Sequence, residues 1–214
     1  TLLAATWNPN VVYQVGAAGG KEVKENNIAA WLTPALNIHR SPLCGRNFEY
    51  YSEDPLLAGV LAGAMVKGIQ SQGVAATVKH FALNNKETDR KHSDSRVSER
   101  AAREIYLKAF EYVIKGAKPW AVMSSYNIIN GCYASENKEL LEDILRDEWG
   151  FDGMVTTDWW TLGEHYKEVK AGNDMKMACG DPKRLKEAMD QGLLTRQDLE
   201  HCAERVLNLI LKLD

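Results

Sequence analysis

Four short apolar stretches of this chain end in residues able to bind, donate or attack. Asn37-Ile38-His39-Arg40 follows the first, Lys79-His80 the second, Ser124-Ser125-Tyr126-Asn127 the third and Thr157-Asp158-Trp159-Trp160 the fourth. A carboxylate such as Asp158 can attack an electrophilic carbon or accept a proton. The indoles of Trp159 and Trp160 can offer an apolar platform to a sugar face. A lysine that ends a buried run needs a partner or a ligand, because an unpaired ammonium is costly to bury. Each residue also has a plainer role: Asp158 as a helix cap, His80 as a satisfied core histidine, the indoles as core. Four such endings in register argue for chemistry. Neighbouring strand residues point to opposite faces, so Lys79 and His80 can serve one ligand only if the backbone is distorted there.

The elements that must position these residues are the apolar runs 29–35, 74–78, 120–123 and 154–155, with a weaker one at 175–178. Such runs fit strands buried on both faces of a parallel sheet. Helices lie between them. Asp54-Pro55 caps and opens one that carries Leu57, Leu61, Met65 and Ile69 on one face, with Gly73 as its stop. A second is expected from Ser98 to Lys115, before Gly116. A third carries Leu141, Ile144, Leu145 and Trp149, closed by Gly150. The last starts at Thr195, with Asp198 completing a capping-box pattern and Leu199, Cys202, Val206 and Leu209 buried. Strand-helix units without a hairpin signal predict an α/β fold of the (β/α)8 TIM-barrel type, with polar strand ends gathered at one mouth. At 214 residues the chain is shorter than the roughly 250 of a complete barrel, so an incomplete one is expected in a single domain over 1–214.

At this point a family resemblance enters. Gly45-Arg46-Asn47-Phe48-Glu49-Tyr50-Tyr51-Ser52-Glu53-Asp54-Pro55 resembles the signature of the N-terminal domain of family 3 glycoside hydrolases. Val78-Lys79-His80-Phe81 with Asn84-Asn85-Lys86-Glu87-Thr88-Asp89-Arg90, Met123-Ser124-Ser125-Tyr126-Asn127, and Val155-Thr156-Thr157-Asp158-Trp159 are similar to the family's later motifs, in its order. The resemblance implies a retaining glycosidase of β-glucosidase type, acting on terminal β-D-glucosides or short β-linked oligosaccharides through a covalent glycosyl-Asp intermediate. It makes Asp158 the nucleophile. Arg46, Lys79, His80 and Arg90 would hold sugar hydroxyls, Tyr126 would sit beside the nucleophile, Met123 would line the pocket, and Trp159 would flank the adjoining subsite. It also implies a substrate-binding Asp upstream of Leu3-Ala4-Ala5-Thr6-Trp7 and an acid/base Glu on an α/β-sandwich domain. Both would lie outside this sequence, and a piece lacking them would be inactive alone. The branch that uses a His as acid/base carries Pro-Gly-His-Gly where this chain has Ala82-Leu83-Asn84-Asn85, although His92 and Asp94 lie nearby. A β-N-acetylglucosaminidase or β-xylosidase specificity are the alternatives within the family.

Composition excludes other partners. The net charge is −3 and no segment concentrates Lys and Arg, so nucleic acid and acidic membrane surfaces have no electrostatic support. Neither a signal peptide nor a transmembrane run is visible, and Thr1 reads as a point downstream of the true start. Cys44, Cys132, Cys179 and Cys202 lack metal-ligand or framework spacing, which leans toward reduced thiols in a cytoplasmic setting. Neither metal nor other cofactor is called for. Two rivals remain: a Schiff-base aldolase built on Lys79, and a sugar-binding fragment without catalysis.

Overall fold

The computed structural model describes residues 1–213. The four expected runs form a parallel sheet of β1 (Ala30–Trp31), β2 (Ala75–Phe81), β4 (Ala121–Ser124) and β7 (Met154–Thr157), ordered β1-β2-β4-β7. Ala76 pairs with Trp31, Val78 with Val122, and Val122 with Val155. The fifth run adds one parallel bridge, Met175 to Thr156, beyond the β7 edge. The sheet is thus an open arc of a barrel.

Alternation along the strands sorts their side chains. Ala76, Val78, Val122 and Val155 join the main core with α2 (Pro55–Gln70) and α4 (Lys108–Ala117). Ala75, Ala121 and Met154 face the other way and meet Leu209 of α7 (Arg196–Leu213). Period two then puts Lys79, Met123 and, past the end of β7, Asp158 on that inner face.

The anticipated caps are present. Asp54 accepts the amides of Leu56 and Leu57, and Thr195 and Asp198 bond reciprocally at the head of α7. Ser98 caps α3 (Glu99–Ala101), which runs through a π-helical stretch, Ala102–Tyr106, into α4. That helix does not stop at Gly116: it continues to Ala117, and Lys118 takes the left-handed turn at φ 49°. The third expected helix is π-helical over Glu139–Glu148. Two further short helices, α5 (His165–Ala171) and α6 (Pro182–Asp190), precede α7.

Besides α5 and α6, two features were not anticipated. Asn8 caps α1 (Pro9–Glu25), which lies so close to α2 that a Cβ on Gly68 would sit 2.2 Å from the Tyr13 carbonyl oxygen. The second corrects the expectation of a sheet without hairpins. Strands β5 (Ile128–Ile129) and β6 (Cys132–Tyr133) pair antiparallel across Asn130-Gly131, and β5 pairs parallel with β3 (Asp94–Ser95). Both turn residues have positive φ, 48° and 91°, the conformation that makes Asn-Gly a hairpin turn.

Candidate active site

The loops after β2, β4 and β7, with the turn before α2, converge on Asp158. Its backbone amide donates to Ser124 at 3.2 Å, fixing the end of β7 against β4. The following loop is tied down as well: Met177 donates to the Thr157 hydroxyl at 3.0 Å, and Trp160 to the Met177 carbonyl at 3.3 Å. Lys176, paired with fully buried Glu168, donates to Thr161 and to the Gly163 carbonyl. Trp159 is half-buried, with its amide 3.3 Å from Asp158 Oδ1, and Trp160 is exposed.

At the end of β2 the backbone departs from regular pairing, as the adjacency of Lys79 and His80 required. The register shifts between Val78 and Phe81, and the Lys79–His80 and Phe81–Ala82 peptides are cis. Asn37 clasps the His80 backbone from both sides, accepting from its amide and donating to its carbonyl at 2.8 Å. His80 Nε2 then lies 3.8 Å from Asp158 Oδ2. That is too long for a hydrogen bond. Nor is it an ion pair, because burial, Arg46, Lys79 and Arg90 hold the imidazole well below its ordinary pKa and therefore neutral.

Three cations surround the carboxyl. Arg90 stacks its guanidinium 4.5 Å from the centre of the Tyr126 ring and bonds Glu87 at 2.9 Å. Arg46 bonds Glu49, whose other oxygen lies 3.8 Å from Lys79 Nζ. Burial raises the Asp158 pKa more than Tyr126, Arg46, Arg90 and Lys79 lower it, so the net displacement is upward. The cations limit the cost of burying this charge without cancelling it. The Tyr126 hydroxyl is near enough to act on the carboxyl, yet Oδ2 has no well-formed hydrogen bond among the described residues. A buried acceptor without a donor is free to engage a ligand.

Arg46, Lys79, His80, Arg90, Tyr126 and Asp158 therefore come together, with Trp159 alongside and Met123 buried on the inner face. His39 and Arg40 do not join them. His39 bonds the Asn47 carbonyl at 3.0 Å and Arg40 the Tyr106 hydroxyl at 3.1 Å. His92 is exposed and paired with Asp89. Glu49 lies 3.8 Å from Lys79 Nζ, and burial still holds the lysine below its ordinary pKa. The residues that sequence reasoning left without a role are Asn37, Glu49 and Glu87. The i,i+3 spacings Arg46–Glu49 and Glu87–Arg90 were their visible signal. A cavity of about 540 Å³ lies beside this site, is lined in part by Glu87 and does not include Asp158. Chemistry, not volume, locates the centre.

The fold is thus a parallel α/β arc that gathers a buried carboxylate, cations and aromatic rings at one mouth. The family model described as the glycosyl hydrolase family 3 N terminal domain matches residues 1–209, and the chain belongs to that family. It is 66% identical to beta-glucosidase A of Butyrivibrio fibrisolvens over 94% of its own length and 24% of that relative's. It is 45% identical to an exo-alpha-(1->6)-L-arabinopyranosidase of Bifidobacterium longum, over 98% of this chain and 28% of the other. Beta-glucosidase 3B of Thermotoga neapolitana, solved in complex with glucose, superposes with a TM-score of 0.96 at 48% identity, over 98% of this chain and 31% of that one. The chain spans about a quarter of the length of the curated relatives it matches. That likeness also identifies the open arc as part of a TIM-type barrel.

Proposed function

We propose that this chain carries the nucleophile of a retaining glycosidase acting on terminal β-D-glucosides or short β-linked oligosaccharides. The observation that carries the reading is the convergence of Arg46, Lys79, Arg90, His80 and Tyr126 on the buried Asp158. The ionised Asp158 attacks the anomeric carbon as the bond to the aglycone oxygen breaks. That oxygen takes a proton from an acid supplied by another part of the enzyme. Water, deprotonated by the same group, then displaces Asp158 and releases the sugar. Arg46, Lys79 and Arg90 donate charged hydrogen bonds to hydroxyls, and neutral His80 donates from Nε2. The names of the beta-glucosidase relatives favour a glucoside over a xyloside.

The test uses the full-length enzyme and a 2-deoxy-2-fluoro-β-glucoside with an activated leaving group. Fluorine slows both steps and the leaving group rescues only the first, so a glycosyl-enzyme accumulates. Peptide mapping should find it on Asp158, and Asp158→Asn should abolish labelling with the fold intact. A label on Glu87, Asp89 or Glu99 would reject the assignment. A wild-type enzyme that binds glucose but neither labels nor turns over would favour a silent sugar-binding protein.

A further inference from the structure

We propose that Glu49 is a positioning residue that holds Arg46 and Lys79 together as one cationic unit facing the sugar, an inference that rests on Asp158 being the nucleophile. One carboxylate oxygen of Glu49 takes Arg46 Nε and the other lies 3.8 Å from Lys79 Nζ. Glu49 thus joins the turn before α2 to the end of β2. All three side chains are only 15–22% exposed, so the charges act on one another with limited solvent screening.

The turn that carries Glu49 is itself fixed. The Glu49 amide donates to the Arg46 carbonyl at 3.1 Å, and Asn47 Nδ2 donates to the Ser41 carbonyl at 2.7 Å. The next residue, Tyr50, is fully buried and donates its hydroxyl to the Asn84 carbonyl at 3.1 Å. Glu49 engages Arg46 through Nε, which leaves both Nη groups able to donate elsewhere. A carboxylate oxygen near Lys79 Nζ likewise leaves most of its three donors free. Glu87 pairs with Arg90 through Nη1, so each of the three cations that act on Asp158 has an anion beside it. Glu49 aims the two cations and offsets the attraction of the Asp158 carboxylate, which would otherwise draw them onto itself.

The experiment compares full-length wild type with Glu49→Gln, Glu49→Asp, Lys79→Met and the Glu49→Gln/Lys79→Met double variant. In Glu49→Gln, kcat/KM on an aryl β-glucoside should fall about 10- to 100-fold, the scale of loss when a substrate-positioning group shifts by about an ångström. Because a negative charge leaves the site, the acid limb of the kcat/KM profile should move to lower pH. The groups that act on Asp158 in that profile are Tyr126, Arg46, Arg90 and Lys79, with His80 3.8 Å away, Lys91 over the Tyr126 ring and Glu87 paired with Arg90. Glu49→Asp, which keeps the charge, should recover part of the rate and leave the acid limb in place. It carries the test if the amide variant fails to fold. In the Lys79→Met background the Glu49→Gln substitution should cost only a few-fold. Losses equal in both backgrounds with an unmoved acid limb would make Glu49 merely structural and overturn the inference. So would a Glu49→Gln enzyme within threefold of wild type, provided that wild type takes the 2-fluoro label on Asp158. A wild type that labels elsewhere would overturn the reading beneath, and this one with it.

Discussion

Asp174 is the residue whose loss should most damage the platform beneath the site. Its side chain is completely buried and accepts three donors: the Val155 amide at 2.7 Å, Arg146 Nη2 at 2.8 Å and Arg205 Nη1 at 3.2 Å. Val155 lies in the strand that delivers Asp158. Burial pushes the Asp174 carboxyl up and the Arg146 guanidinium down against their mutual attraction. The pair is thus no large net source of stability, but breaking it by halves is expensive. Removing one partner of a buried pair costs about 3–5 kcal/mol, because the other charge stays behind. Arg146 is 6% exposed and keeps the Gly153 and Gly172 carbonyls, with Glu142 3.5 Å from its Nε. These remaining contacts place Asp174→Ala near the lower end, at about 3 kcal/mol. Urea unfolding of the chain, with a slope of about 2 kcal/mol per molar, should show the midpoint fall by about 1.5 M. Glu200→Ala, which breaks the exposed Arg196–Glu200 pair, should cost no more than about 0.5 kcal/mol. The Arg146→Met/Asp174→Leu double variant should be more stable than Asp174→Ala, since no orphaned charge remains. A loss below about 1 kcal/mol in Asp174→Ala would refute the reasoning, because Arg146 would then be as well served by its carbonyls and Glu142 alone.

Two further outcomes are expected. Tyr126 holds the Asp158 carboxyl down, so Tyr126→Phe in the full-length enzyme should move the acid limb of kcat/KM to higher pH, and an unmoved limb would remove Tyr126 from the surroundings of the proposed nucleophile. His80 is held neutral by burial and nearby cations, so the folded form resists taking up its proton. The stability this contributes is complete above the ordinary histidine pKa of about 6.5 and is lost as pH falls below it. The urea midpoint should therefore drop below that pH with a slope that is shallower in His80→Gln.

The sheet was legible because strands buried on both faces are apolar throughout, and the site because strand ends in register expose their polar residues. The β5–β6 hairpin was not, since two-residue strands are too short to show alternation. Its Asn130-Gly131 turn was the available signal. Gly116 misled as a stop because glycine can also remain helical, and Lys118 made the left-handed turn instead. Periodicity located the helix at 139–148 without revealing its π geometry, which keeps the buried face of Leu141, Ile144 and Leu145. Glu49 and Glu87 carried no role for another reason. A counter-ion has meaning only beside the cation it serves, and Lys79 lies in a different element from Glu49.

The identity of strand order and chain order has a consequence for the making of the protein. The sheet runs β1-β2-β4-β7, so each new strand emerging from a ribosome finds its partner already waiting at the growing edge. At about 5–20 residues per second, the stretch from Lys79 to Asp158 takes on the order of 4–16 s to synthesise. Arg46, Glu49, Lys79 and Arg90 therefore precede the carboxylate they are to surround. Glu49 and Glu87, the anions that pair with those cations in the folded protein, are likewise made before Asp158. Asp158, whose burial outweighs the pull of its neighbouring cations, enters after the groups that moderate that burial have been synthesised.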